Sequence, residues 1–324
     1  MNSQVPTSVI AVRNVRHRFG KKIALDNVSF DVLRGRVFGL VGENGAGKTT
    51  LMKHLLGALT PDDGTVSVLG HDPTTNPTAV LSRIGYLSED RDLPRWMRVC
   101  ELLRYTQAFY PDWDPEYAEK LRQQFHLDAH SKVRSLSRGE LARAGMLVAL
   151  AHRPELLMLD EPSSGLDSAA RRDILAVIIR SVAEEGRTVL FSSHLLDEVE
   201  RVSDDVAMIH EGRLALHGSL DDLKAIHQRF IVAFESSQSV FPNISCVLDV
   251  EGDGRDWAVV CHGDPTVTRA ELQQTGARIV EESVPPLDAI FLAHVTGTRR
   301  SAAVPATSKG RPNSHAKAPT HARD

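Results

Sequence analysis

Three observations predict an α/β fold for most of this 324-residue chain. Residues 8 to about 225 alternate β-branched apolar runs with stretches of helical periodicity. The short runs 156–159 and 188–191 are apolar throughout, as in strands buried on both faces of a parallel sheet. Between a strand-like run and a helix-like one lies a glycine-rich stretch, residues 42–50, reading GENGAGKTT.

The elements follow in order. Residues 10–15 and 28–32 read as strands of an antiparallel edge, 36–41 as a buried strand, 50–56 as a helix and 83–87 as another strand. From Trp96 to about Leu127 the pattern is helical, broken at 111–115. There Asp114 is placed to cap a helix whose first residue is Pro115. A helical subdomain is therefore expected over about 92–150. A second unit starts near Arg229. It should hold strands at 230–234, 246–250, 257–261 and 277–281, with helices at 266–274 and 287–294. The expected organisation is an α/β domain over 8–228, a small α+β domain over 229–295, and a disordered tail over 296–324. The tail is rich in Ala, Pro, Ser and Thr and has too little apolar surface to order itself.

Composition narrows the function classes. With 42% hydrophobic and 25% charged residues, the chain reads as an ordinary globular protein. A net charge of −4 predicts no nucleic-acid partner. No apolar run approaches the ~18–20 residues that span a bilayer; the longest, such as 174–179, read as short core segments. The N-terminus lacks a charged region followed by an apolar core, so no signal peptide is expected. Cys100, Cys246 and Cys261, scattered and odd in number, fit a reducing cytoplasm. His126 and His130 stand one helical turn apart without further ligands at metal-site spacing, and read as surface histidines.

Residues 42–50 fit G-x-x-x-x-G-K-[ST], the phosphate-binding P-loop, in its required strand–loop–helix context. Backbone N–H groups across Gly42, Asn44, Gly45, Ala46 and Gly47, continuing into Thr50 at the helix start, can wrap phosphate oxygens. Lys48 supplies a full charge to the β- and γ-phosphates, and the Thr49 hydroxyl can ligate Mg²⁺. Downstream, 155–162 reads ELLMLDEP. Its apolar strand delivers Asp160 to the Mg²⁺ shell and places Glu161 as general base for the attacking water. Ser137 and Gly139, in LSRGE at 136–140, open a helix and can face a γ-phosphate, although alone they read as a plain cap. His194 follows a strand and can hydrogen-bond the same phosphate. Phe19 can stack on adenine, though an isolated Phe is usually core.

In this order the motifs resemble the ATP-binding subunit of an ABC transporter, over roughly residues 8 to 225. Phe19 matches the aromatic A-loop and 42–49 the Walker A. Glu89 falls at the Q-loop position, and 136–140 match the LSGGQ signature. Asp160 and Glu161 match the Walker B and its catalytic carboxylate. Ser164 to Asp167 match the D-loop, and His194 the switch histidine. The small unit near 229–295 looks like the extension on many exporter-type subunits. Two departures stand out. The Q-loop glutamine is Glu89, an acceptor only when ionised, which could ligate Mg²⁺ or orient water. Arg91 is near enough in sequence to offset its charge. The signature carries Arg138 for a glycine and Glu140 for the glutamine.

The resemblance implies two ATPase domains, a homodimer or a heterodimer, sandwiching two ATP molecules. Each ATP lies on Lys48 and Thr49 of one domain and is capped by Ser137 and Gly139 of the other; Asp167, in the D-loop, is also expected to bind nucleotide. It implies a separate integral membrane permease, export rather than import, and a peripheral place on the cytoplasmic face of the cell membrane. Permease contact is expected between residues 91 and 110, at Leu93, Trp96, Met97 and Tyr105. The competing class is a non-transport ABC-type ATPase of translation or nucleic-acid maintenance. It would need long coiled coils, zinc-bearing insertions or a second Walker A, none of which the sequence carries. A binding-only regulatory subunit sits poorly with both Glu161 and His194.

Overall fold

The computed structural model describes residues 8–111, 113–238 and 240–302, with side chains through 296. β1 (Ser8–Phe19) and β2 (Lys22–Leu33) form an antiparallel hairpin that turns inward Ile10, Val12, Val15, Leu25, Val28 and Phe30. β3 (Val37–Val41), buried along its whole length, carries the chain into the main sheet. After the P-loop comes α1 (Lys48–Leu55). β4 (Asp63–Val68) then returns to β1, giving a three-stranded antiparallel sheet in the order β2-β1-β4.

α2 (Pro77–Leu81) leads into β5 (Ile84–Leu87), and the helical subdomain follows. α3 (Val99–Gln107) and α4 (Pro115–Gln124) flank the break predicted at 111–115. Asp114 caps α4, its Oδ1 accepting the Tyr117 N–H at 2.9 Å. α5 (Arg138–Leu150) begins at the signature and buries Ala142, Met146 and Leu147. His126 and His130 are exposed, but no helix joins them. α4 ends at Gln124 and His126 takes a left-handed φ of 53°.

β6 (Leu156–Leu159), α6 (Ser168–Ala183), β7 (Thr188–Ser193), α7 (Leu196–Val202), β8 (Asp205–His210) and β9 (Arg213–Ser219) complete the main sheet, ordered β5-β6-β7-β3-β8-β9. All neighbours are parallel except β8 and β9. The 174–179 run lies on α6, not wholly in the core: Ile174 and Ile178 are buried but Ile179 is exposed, because a helix turns every third or fourth residue outward. The pairings Leu159↔Phe191 and Val41↔Ser193 bring the ends of β6, β7 and β3 level. Three motif loops therefore leave from one edge of the sheet, where open α/β sheets bind ligands.

α8 (Leu220–Ile226) connects to a second antiparallel sheet, ordered β11-β10-β12, made by β10 (His227–Gln238), β11 (Val247–His262) and β12 (Arg278–Ser283), with α9 (Pro265–Gln274) against it. The two strands expected at 246–250 and 257–261 are one strand. Gly252 (φ 132°) and Gly254 (φ 62°) sit within β11, where the register with β10 shifts between Ala233 and Gln238. The final helix, α10 (Leu287–Ala302), outruns its expected end at 294 and takes in the first residues assigned to the tail. Residues 303–324 lie outside the described residues. α10 does not pack with its own sheet alone. Leu287, Phe291 and Val295, spaced four apart, join the core of the ATPase sheet, and the Leu287 N–H donates to Glu200 Oε2 of α7 at 3.0 Å. Among the described residues no helix is long and apolar enough to cross a membrane.

Candidate active site

The P-loop backbone requires its glycines. Gly47 has φ 116°, and a Cβ there would meet the Ala24 carbonyl oxygen at 2.6 Å. At Gly42 a Cβ would lie 2.3 Å from the Ile209 oxygen. The loop is therefore pressed against β2 and β8 and opens its other face to a cleft of about 330 Å³. Phe19, Asn44, Gly45, Gly47, Lys48, Thr49, Thr50, Glu89 and Glu161 all line this cleft, with Lys22 and Ala24, which the sequence reading did not single out. Phe19 is exposed at its mouth, with His17 edge-on behind it at 4.6 Å between ring centroids.

Lys48, Glu161 and His194 converge. Lys48 Nζ donates to the Gly42 oxygen at 2.6 Å and lies 3.0 Å from Glu161 Oε1. A carboxylate only accepts, so His194 Nδ1 donates to Glu161 Oε2, at 2.7 Å, and presents Nε2 as its other hydrogen-bonding atom. Glu161 is buried and left-handed, with φ 46°, a strained conformation for a residue with a long side chain. Ser192 helps hold it: the Glu161 N–H donates to Ser192 Oγ at 2.8 Å, and Ser192 Oγ donates to Asp160 Oδ1 at 2.7 Å. The sequence reading missed Ser192. A serine directly after the apolar run 189–191 of a central strand, one place past the partner of Leu159, was the available signal.

Glu89 lines the same cleft and is partly desolvated there although its surface is largely exposed. Burial first, then the Asp160 and Glu161 carboxylates, push its carboxyl above the usual range. Arg91 does not offset that charge by contact. Its side chain is buried and its Nη2 donates to the carbonyls of Pro162, at 3.1 Å, and Ser164, at 2.7 Å. The oxygen donors Thr49, Asp160 and Glu89 are hard ligands of the kind Mg²⁺ prefers, and Asp160 is buried at the end of β6. Among the described residues no cluster of three or more His, Cys, Asp or Glu side chains can hold a metal unaided. This donor set suits an ion that also binds phosphate oxygens.

Some expected residues stand apart from the cleft. Ala46 is buried within the loop, and Gly42 faces, with Asn44 and His194, a neighbouring cavity of about 770 Å³ reaching α10. Asp167 does not line the cleft, because its Oδ1 caps α6 by accepting the Ala169 and Ala170 N–H groups. Ser137 and Gly139 sit at the start of α5, also outside it. Ser137 and Glu140 form a reciprocal cap there. Of the residues expected to meet a permease, Trp96 and Tyr105 are exposed, and Phe109 stands edge-on to Tyr105 at 5.2 Å. Leu93 packs against the core.

A P-loop, a strand-end carboxylate pair and a following histidine on one sheet edge define a P-loop NTPase. Comparison narrows the class. The ABC transporter family matches residues 25–164. An uncharacterized ABC transporter ATP-binding protein of Nostoc sp. is 38% identical over 268 residues, covering 80% of this chain and 79% of its own. The Nod factor export ATP-binding protein I of Burkholderia lata is 36% identical over 220 residues, covering 66% of this chain and 72% of its own. A solved ATP-binding subunit of an ABC transporter superposes with a TM-score of 0.62 at 28% identity, covering 67% of this chain and 92% of that one. The chain belongs to the ATP-binding proteins of ABC transporters.

Proposed function

We propose that this subunit hydrolyses Mg·ATP in a head-to-tail dimer and uses the cycle to drive export through a separate integral membrane permease. The observation that carries the reading is the Glu161 carboxylate held between Lys48 Nζ and His194 Nδ1 beside the P-loop. Glu161 takes the proton of the attacking water. Lys48 and the loop N–H groups bear the γ-phosphate charge as it grows, and His194 orients that phosphate from Nε2. Thr49, Asp160 and Glu89 would hold Mg²⁺, which would supply positive charge against the phosphates. Phe19 stacks on the base.

Ser137 and Gly139 lie outside their own cleft, which supports their serving the nucleotide of a second subunit, alike or different, together with that subunit's view of Asp167. Trp96, Tyr105 and Phe109 offer an exposed apolar surface for a permease segment on the cytoplasmic face of the membrane. Similarity to an export ATP-binding protein favours outward transport.

The test is Glu161→Gln. The variant should bind ATP normally while its turnover drops by roughly 10²–10⁴-fold, with ATP then trapping a dimer visible by size exclusion. Wild-type turnover in the purified variant would refute the assignment.

A further inference from the structure

Arg91 carries two local costs that stability does not explain. It is a non-glycine residue at φ 49°, and its guanidinium is buried. Burial first, then the charge of Arg138, lowers its pKa. Both of its hydrogen-bond acceptors are carbonyl oxygens rather than carboxylates, and its Nε has no partner. A buried cation so placed is poor support for a fold. What it accomplishes is geometric.

Pro162 and Ser164 belong to the turn that follows Glu161, and the Ser164 N–H closes that turn on the Glu161 carbonyl at 3.1 Å. Arg91 stands two residues after Glu89, in the segment that runs from β5 to α3. One guanidinium therefore clamps the wall that carries Glu89 to the turn that carries Glu161. The same segment is the chain's route into the helical subdomain, where Trp96 and Tyr105 are exposed.

We infer that Arg91 is a positioning residue: by holding the turn after Glu161 against the Glu89 segment, it fixes where the Glu161 carboxylate sits. The inference rests on the hydrolysis proposed above. It assigns Arg91 no contact with nucleotide.

Arg91→Met separates positioning from folding, because an apolar chain of similar length fills the space without donors. The full-length variant should melt within about 4 °C of wild type and bind ATP within about threefold, while kcat falls roughly 10- to 100-fold. Arg91→Lys, which restores a donor but not the planar fork, should recover part of that loss. Wild-type kcat in Arg91→Met overturns the inference alone. So does a kcat loss matched by an equal loss of ATP affinity or of folded protein, or no recovery with lysine. A wild-type protein without ATPase activity overturns this inference and the hydrolysis reading together.

Discussion

The nucleotide cleft buries charges, whereas the C-terminal sheet buries rings. Lys48, Arg91, Asp160 and Glu161, from three segments of the chain, are withdrawn from solvent. Around β10 the buried groups are Phe230, Phe234, Phe241 and Trp257, with Val232, Val259 and Leu272 between them. Phe241 packs on Trp257 at 5.6 Å and on Phe234 at 6.0 Å. A core of this second kind stabilises by area removed from water. The first kind spends stability on geometry, in the left-handed Glu161 and Arg91 as much as in the charges. Buried charge within reach of a glycine loop therefore marks the proposed reaction site, and the ring cluster marks where the chain is held.

The contrast can be broken by exchanging the roles. Phe230 is fully buried, and Phe230→Ala should cost about 3–5 kcal/mol in chemical denaturation while leaving ATP affinity per folded molecule unchanged. Lys48→Ala should do the reverse. It removes a charge-assisted hydrogen-bond donor to phosphate, about 1.5–3 kcal/mol of nucleotide binding, with the melting temperature little altered. If Phe230→Ala weakened ATP binding in the folded fraction, the two regions would not be separable.

A smaller effect tests the one polar island at the edge of the ring-based unit. His227 Nδ1 donates to the Leu223 oxygen at 2.7 Å, and its Nε2 meets His294 Nε2 at 2.9 Å. Burial lowers the pKa of both; the charges of His227 and His262 lower His294 further, to about 4. A histidine whose folded pKa lies below its unfolded value of 6.5 favours folding when neutral. Stability should therefore decline as pH falls from about 6.5 towards 4. His294→Asn should flatten that slope in urea midpoints measured across the range; an unchanged slope would assign it to other groups. Smallest of all is the surface pair Arg269–Glu282, 2.7 Å apart and partly exposed. Arg269→Ala should change stability by only about 0–1 kcal/mol, read by the same urea titration.

The cleft was more legible in the sequence than the C-terminal unit, for a physical reason. Phosphate binding needs fixed residue types at fixed spacing within a few residues, so residues 42–50 and 160–161 declare themselves locally. The contributions that escaped notice come from across the fold. Ser192 meets Asp160 and Glu161 only because β7 lies beside β6 in one register. Arg91 was read as a counter-charge for Glu89, since its true acceptors lie more than seventy residues away. Asp167, expected from the motif order at the nucleotide, also caps α6 through Oδ1, a second role that its position in the motif does not reveal. In the C-terminal unit periodicity located the elements but could not say that Gly252 and Gly254 stay inside one strand. Nor did it show whose core the last helix would fill.

That last helix sets an order on biosynthesis. Every residue that lines the cleft has been translated by residue 161, and His194 soon after. Leu287, Phe291 and Val295, which complete the core behind those groups, are translated about a hundred residues later. A domain made from its N-terminus onward must wait, partly sealed, for its final helix. Until then the apolar face that those three residues cover stays open.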